Sequence, residues 1–268
     1  MTTRNAKKRE SPKDPDHIED RLKQLGLYGA LACLDEIEQE PWLLPLIEME
    51  EGERGRRSLE RRVKNAKLGA FKPMADFEWD WPSKIDRDLI EDVLGMDFLA
   101  ESANVVLAGP NGVGKTMIAQ SIGHRAVMAG HTVLFTTASK LLNDLAAQET
   151  GRQLTLRLRR YVRPSLLVID EVGYLASTSR HADLLFEVVT RRYETKSIVI
   201  TTNKPFAEWN NVFEGSACVV SLVDRLVHKA EIVQIEGESY RLKEARERAA
   251  AKAKQRKGRR ARKAKKNS

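Results

Sequence analysis

The central part of the chain alternates short apolar runs with longer amphipathic segments. The apolar runs predict strands over residues 104–108, 132–136, 166–170, 197–202 and 231–236. Apolar residues at intervals of three or four predict helices over residues 85–99, 139–147, 181–193 and 221–229, with Ser139 as an N-cap. This alternation predicts an α/β domain with right-handed crossovers, in which a parallel sheet carries helices on both faces.

The first seventy residues show a purely helical pattern. From Ile18 to Ile37 apolar residues recur close to the helical period, with an interruption at Gly26 and Gly29. Residues 41–47 predict a packed corner between two prolines, followed by a basic helix over residues 50–68. Charge alone leaves two interpretations of that helix, a solvated face or a nucleic-acid contact. We therefore predict a disordered lead-in over residues 1–16 and a small all-α domain over residues 17–70.

Residues 71–82 are unusually aromatic for this chain, with two phenylalanines and two tryptophans between prolines. Packing of a linker against the core is the simpler interpretation. A stacking platform for bases is the alternative, but such platforms interleave aromatic and basic residues. Lys72 and Lys84 are the nearby basic residues.

An octapeptide at residues 109–116 fits the pattern G-x-x-x-x-G-K-[ST] at every position, between a predicted strand and a predicted helix. In this setting the pattern is typical of a phosphate-binding loop, because backbone N–H groups and a helix N-terminus converge on phosphate oxygens. The predicted nucleotide-binding residues are Gly109, Pro110, Asn111, Gly112, Val113, Gly114, Lys115, Thr116 and Met117. Lys115 would reach the phosphates of ATP, and Thr116 would bind Mg²⁺.

Polar residues also follow two other predicted strands. Asp170 and Glu171 end the strand at 166–170, and Asn203 follows the strand at 197–202. Ligands bind at the carboxyl ends of strands in such sheets, so Asp170 is predicted to hold Mg²⁺ and Glu171 to activate water. The alternatives are a helix start for the two acids and a turn residue for Asn203.

Three arginines are candidates for a charge-stabilising role. Arg225 lies on the predicted helix 221–229, where the residue alone indicates a surface salt bridge. Arg191 and Arg192 end the predicted helix 181–193 and are competing candidates.

The net charge of +8 is unevenly distributed. Residues 241–268 contain 14 Lys or Arg and two Glu, a net of +12, which leaves −4 for residues 1–240. Such a run predicts a disordered basic tail that binds nucleic acid, or one that only increases solubility.

The chain has no apolar run long enough for a bilayer and no apolar segment after its polar start. Its two cysteines, Cys33 and Cys218, show no pairing pattern. These features indicate a cytoplasmic protein.

Six motifs together resemble the IstB-like transposition helper ATPases, relatives of the DnaC-type helicase loaders. They are the loop 109–116, residues 167–175, residues 191–193, residues 201–206 with Trp209, residues 224–226 and residues 238–242. The match covers roughly residues 18–243 in order and spacing, and the basic tail lies outside it.

The resemblance implies an AAA+ P-loop domain over residues 71–240, with a reduced or absent lid because only one strand is predicted after Lys229. It implies Asp170 as the Walker B acid, Glu171 as the catalytic glutamate, Asn203 as the sensor and Arg225 as an arginine finger acting in trans. Arg241 is a weaker candidate for a lid-type sensor.

The resemblance further implies ATP and Mg²⁺ as cofactors, a homo-oligomer on duplex DNA, and a cognate transposase as partner. A helicase loader is the first alternative. The second is an ATP-gated DNA clamp in which turnover is incidental.

Overall fold

The computed structural model describes residues 15–174, 178–213, 216–249 and 251–252, with side chains from Ile18 onward. Residues 1–14 of the predicted lead-in and most of the basic tail therefore lie outside the described residues, as does Leu175. Residues 15 and 16 were predicted to be disordered but begin the first helix. The chain divides into two compact units at residues 61 and 62, within a long helix. This division differs from the boundary predicted at residue 70, which remains a prediction.

The first unit is helical, as the apolar period predicts. Its helices are α1 (Pro15–Leu25), α2 (Tyr28–Ala32), α3 (Leu34–Ile37) and α4 (Leu43–Ala66). Leu22 of α1 and Leu43 and Ile47 of α4 are fully buried in one cluster. Arg21 forms a bidentate pair with Glu51 at 2.8 Å for both hydrogen bonds, which ties α1 to α4.

Helix α4 begins seven residues earlier than the sequence predicts. Pro45 was expected to bracket a corner, but it occupies the third position of the helix. The first four N–H groups of a helix have no intrahelical acceptor, so a proline there removes no hydrogen bond.

The second unit alternates helices and strands. Before the sheet lie α5 (Arg87–Gly95) and α6 (Asp97–Ala100), separated by Met96 in the left-handed region at φ 75°. The strands are β1 (Asn104–Ala108), β2 (Val133–Thr137), β3 (Leu166–Val172), β4 (Ser197–Thr202) and β5 (Ala230–Gln234). The later helices are α7 (Lys115–Met128), α8 (Ala138–Ala146), α9 (Gly151–Val162), α10 (Ser179–Arg192), α11 (Trp209–Val212) and α12 (Val219–Val227).

All five strands are parallel, in the order β2-β3-β4-β1-β5. Leu167 and Ile169 of β3 belong to the cluster formed with helices α8 to α12. Val168, between them, faces Gly123 of α7 on the other side. Helices therefore cover both faces, as predicted, and the inner strands β1, β3 and β4 are largely apolar and buried. The edge strand β5 has three exposed residues, Glu231, Ile232 and Gln234.

Two helices differ from the sequence analysis. Thr137 rather than Ser139 caps α8, since the Thr137 hydroxyl accepts a hydrogen bond from the Lys140 N–H. Helix α9 was not predicted. Its signal was a capping box, in which Thr150 and Gln153 each bind the other's backbone N–H.

Among the described residues after β5, residues 240–249 form a helix, α13. A disordered tail was predicted from residue 241. The physical reason for the difference is that Tyr240, Lys243 and Glu244 contact the segment at residues 72–81. No larger helical lid follows β5 within residues 235–252, and no helix of the described chain could cross a bilayer.

Candidate nucleotide-binding site

The loop at residues 109–114 joins the carboxyl end of β1 to the first residue of α7, Lys115. Gly112 and Gly114 have φ values of 83° and 101°, which side chains rarely adopt. A Cβ at Gly114 would lie 2.5 Å from Phe77 Cε2, and one at Gly112 would overlap Ser239. Glycine is therefore required both by the backbone turn and by two segments that contact the loop from outside.

Lys115 is held within this loop. It is 9% exposed, and its Nζ donates to the carbonyl oxygens of Gly109 and Pro110 at 2.7 Å each. Burial lowers the pKa of Lys115, the Asp170 carboxylate opposes this, and the charge of Arg241 lowers the pKa further. A buried cation at a helix N-terminus is a favourable site for an anion.

Asp170 is buried, with only 4% of its surface exposed. Its carboxylate accepts hydrogen bonds from two threonine hydroxyls. Thr116 Oγ1 lies 3.1 Å from each carboxylate oxygen, and Thr201 Oγ1 lies 2.5 Å from Oδ1. Mg²⁺ prefers oxygen ligands and usually combines one or two carboxylates with phosphate oxygens. The Thr116 hydroxyl and the Asp170 carboxylate fit such an ion.

The described residues contain no cluster of three or more His, Cys, Asp or Glu side chains that could hold a metal ion. A metal at Thr116 and Asp170 would therefore need further oxygen ligands. The phosphates of a nucleotide in the adjacent loop could supply them.

Glu171 occupies an irregularity in β3. The register with β4 shifts between Ile169 and Val172, and Glu171 lies in the left-handed region at φ 63°. Its N–H donates to Thr201 Oγ1 at 2.9 Å. A bulge lets two successive residues serve one site, and strained backbone is concentrated at functional sites. Asp170 is thus buried while Glu171 lines the cleft, and the helix-start interpretation of these acids is wrong.

Asn203 follows β4 and also lines the cleft. Its Oδ1 is buried and has no hydrogen-bond partner among the described residues. Buried acceptors are almost always satisfied, so an unpaired one beside a cleft is a candidate ligand-binding group.

The cleft encloses about 200 Å³ and has an aromatic side. It is lined by residues 111–117 of the predicted loop and also by Phe77, Trp81, Pro82, Tyr174, Tyr240 and Arg241. The rings of Trp81 and Tyr240 meet edge to face at 6.1 Å, and Trp81 Nε1 donates to the Glu238 carbonyl at 2.9 Å. The aromatic segment therefore lies at the cleft as well as against the domain, so its position allows base stacking.

The three candidate arginines do not line this cleft. Arg192 is fully buried, which removes it as a candidate for contact with a neighbouring molecule. Arg191 is exposed and pairs with Glu187 at 2.6 Å. Arg225 hydrogen-bonds Thr190, and its guanidinium lies 4.7 Å from the Phe186 ring centroid. It forms no salt bridge within the described residues, contrary to the expectation from the residue alone.

The structure brings the predicted loop, Asp170, Glu171 and Asn203 together and leaves Arg225 apart. Sequence reasoning missed Thr201, which binds both acids, and Tyr240. Thr201 had a weak signal, since it is a hydroxyl residue near the end of a strand beside the acidic strand. Tyr240 falls within the motif at residues 238–242. The motif gave no indication that Tyr240 lines the cleft, because that position depends on how the chain returns after β5.

A family model described as "IstB-like ATP binding protein" matches residues 26–248 of this chain. A Pseudomonas aeruginosa protein named for insertion sequence IS21 and for ATP binding is 36% identical over 230 residues, covering 86% of this chain and 84% of that protein. A Geobacillus stearothermophilus protein named for insertion sequence IS5376 and for ATP binding is also 36% identical, covering 86% and 92%.

Among solved structures, the chain is similar to DnaI, with a TM-score of 0.51 and 18% sequence identity. The likeness covers 63% of this chain and 92% of that chain. At this identity the likeness concerns the fold alone. Together with the strand order, it confirms the expected AAA+ architecture.

Proposed function

This chain belongs to the family of IstB-like ATP-binding proteins of insertion sequences, and we propose that it is an ATPase that assembles on duplex DNA and regulates a transposase at the target site. The single observation that carries the ATPase proposal is the cluster formed by Lys115, Asp170 and Glu171 at the carboxyl edge of the sheet. It combines an anion site, a metal-binding carboxylate and a second carboxylate that faces the cleft.

We assign the phosphate-binding role to residues 109–117, with Lys115 turning from loop carbonyls towards phosphate oxygens. Thr116 and Asp170 would hold Mg²⁺, which neutralises charge on the phosphates when bound. Glu171 would orient or deprotonate the attacking water, and the unpaired Asn203 Oδ1 would accept a hydrogen bond from that water. The base of ATP would bind against the aromatic residues of the cleft, which are Phe77, Trp81 and Tyr240.

Arg225 is proposed as the arginine that completes the site of a neighbouring molecule. It lies on α12, against α10, and does not line the cleft of its own molecule. We infer that the phosphate it would contact belongs to a nucleotide bound by another copy of the chain. This geometry supports a homo-oligomer with active sites between subunits.

DNA and transposase are proposed as partners because two relatives carry insertion-sequence names. The charge distribution of the sequence agrees with a polyanionic partner, since residues 241–268 carry a net charge of +12.

Turnover measurements with and without duplex DNA test the ATPase proposal. We expect DNA to raise turnover, and Glu171→Gln to lower it by about 100-fold or more while ATP affinity stays within a factor of two or so. Glu149→Gln is the matched control, because Glu149 is exposed and outside the cleft. Loss of ATP affinity in Glu171→Gln would contradict the assigned role.

Two further outcomes would redirect the proposal. Capture of a replicative helicase instead of a transposase would favour helicase loading. Full regulation of the transposase by Glu171→Gln would favour an ATP-gated clamp in which hydrolysis is incidental.

A further inference from the structure

Helix α13 begins directly on the phosphate-binding loop. The N–H of Tyr240 donates to the carbonyl of Gly112 at 2.9 Å, so the first residue of the helix is fixed to the loop. Arg241, the next residue, lines the cleft. Its charge lowers the pKa of Lys115, after the larger effect of burial, so the two cations repel each other. The chain thus brings a second cation to the phosphate site.

Glu78, which also lines the cleft, binds two residues of this helix. The Tyr240 hydroxyl donates to Glu78 Oε1 at 2.7 Å, and Lys243 Nζ lies 2.5 Å from Oε2. The hydrogen bonds from Lys243 and then Tyr240 lower the pKa of Glu78, and the pKa of Tyr240 is raised to about 12. Both carboxylate oxygens therefore bind α13.

Further contacts join α13 and the aromatic segment. Lys243 lies 4.4 Å from the Trp81 ring centroid, and Lys72 pairs with Glu244 at 3.2 Å. Tyr240 and Lys243 are three residues apart and share one face of the helix. Glu78 contacts both residues of that face. Substitution of Glu78 would therefore remove two of the contacts that hold the helix.

We propose that Glu78 is a positioning residue that holds α13 so that Arg241 faces the phosphates of the bound nucleotide. This inference rests on the proposed nucleotide site. Without an anion, Arg241 and Lys115 repel each other, and the Glu78 contacts offset that repulsion. With a triphosphate bound, both cations face negative charge, so Arg241 favours binding. Glu78 acts through Arg241, since its own oxygens are occupied and its charge would repel phosphate.

Equilibrium binding of a non-hydrolysable ATP analogue, with adenosine as comparison, tests the proposal. Glu78→Ala and Arg241→Ala should each weaken analogue binding by about fivefold to tenfold. Arg241→Ala should leave adenosine binding nearly unchanged, because Arg241 is assigned to the phosphates and not to the base. Because Glu78 acts through Arg241, the double variant should bind no more weakly than Arg241→Ala alone. Glu236→Ala is the matched control, since Glu236 forms a similar exposed pair with Lys84 and does not line the cleft.

If Glu78→Ala does not fold, exchanging the charges of Glu78 and Lys243 provides a second test of the same contact. Glu78→Lys alone should weaken analogue binding, and adding Lys243→Glu should restore at least half of the loss on a logarithmic scale. Losses that multiply in the double variant, or unchanged affinity in Glu78→Ala, would overturn the positioning role. If the unmodified protein binds no ATP analogue, the proposed function itself fails, which is a distinct result.

Discussion

The two ends of the parallel sheet both bury polar side chains, but those side chains have different partners. At the amino end, the Arg192 guanidinium donates to five backbone carbonyls at 2.6 to 3.2 Å. Asn104 there joins the Leu226 carbonyl to the Ile198 N–H, at 3.0 Å each. At the carboxyl end, Lys115 and Asp170 lie beside an open cleft of about 200 Å³.

This difference separates structural from functional polar groups. Arg192 binds only groups of its own chain, and burial lowers its pKa to about 9, which leaves it charged at neutral pH. Its hydrogen bonds join the end of α9 to the starts of β3 and β4, so it stabilises the sheet. The carboxyl-end groups, in contrast, have partners that a ligand can replace. Burial of a charge alone therefore does not indicate a functional site.

Arg225 tests this difference between the two ends of the sheet most directly. It lies near the amino end, where the polar groups are structural, and yet it is assigned to catalysis. Arg225→Ala should lower turnover by about 10³-fold to 10⁵-fold while ATP affinity is retained, since the cation would stabilise charge in the transition state. Steady-state kinetics and equilibrium binding measure the two effects. Arg152→Ala is the matched control, since Arg152 is an exposed arginine on α9 that is not a candidate for this role.

Mixing variants tests whether Arg225 acts in trans. Arg225→Ala retains Glu171, and Glu171→Gln retains Arg225, so mixed assemblies should recover part of the activity. Normal turnover in Arg225→Ala would contradict a catalytic role for Arg225, and no recovery on mixing would contradict its action in trans.

Arg192 should show a large effect of a different kind. Arg192→Met leaves five carbonyls without their donor, and we expect the free energy of unfolding to fall by about 3 kcal/mol or more. Denaturant unfolding measures this change, with the exposed Arg159→Met as control. If the variant has unaltered stability and impaired turnover, Arg192 has a functional and not a structural role.

Lys115→Ala should produce the opposite pattern at the carboxyl end. Loss of its charge-assisted contacts should weaken ATP binding by about 100-fold. Stability should fall little, because the loop carbonyls of Gly109 and Pro110 can bind water in an open cleft. Titration with a fluorescent ATP analogue and thermal unfolding together check this prediction. A loss of stability as large as that of Arg192→Met would remove the distinction between the two ends.

The smallest expected effect concerns DNA binding, which we assign to neither end of the sheet. Truncation after Ala249 removes ten Lys or Arg residues and no acid. The dependence of log affinity on log salt should then become less steep, by up to about 0.9 per lost phosphate contact. Turnover without DNA should stay the same, because α13 and Arg241 remain. An unchanged salt dependence would mean that the tail serves solubility.

Local patterns were enough to predict which residues form the candidate nucleotide site. The loop at residues 109–116 and the acids Asp170 and Glu171 are recognisable because each motif is continuous and bounded by an apolar strand. The parallel sheet follows from the same alternation, since buried strands and amphipathic helices have distinct periods. Their mutual placement also follows, because parallel strands present their carboxyl ends at one edge.

Contacts between distant parts of the chain decided the rest. Glu78 is 165 residues from Lys243, and Trp81 is 157 residues from Glu238, so no local pattern could pair them. Arg191 and Arg192 are neighbours with the same side chain, yet one lies in solvent and the other binds five carbonyls. A helical period assigns a residue to a face, but the neighbouring elements determine what that face meets. For this reason the folded chain, and not its pattern, distinguished a structural arginine from a candidate catalytic one.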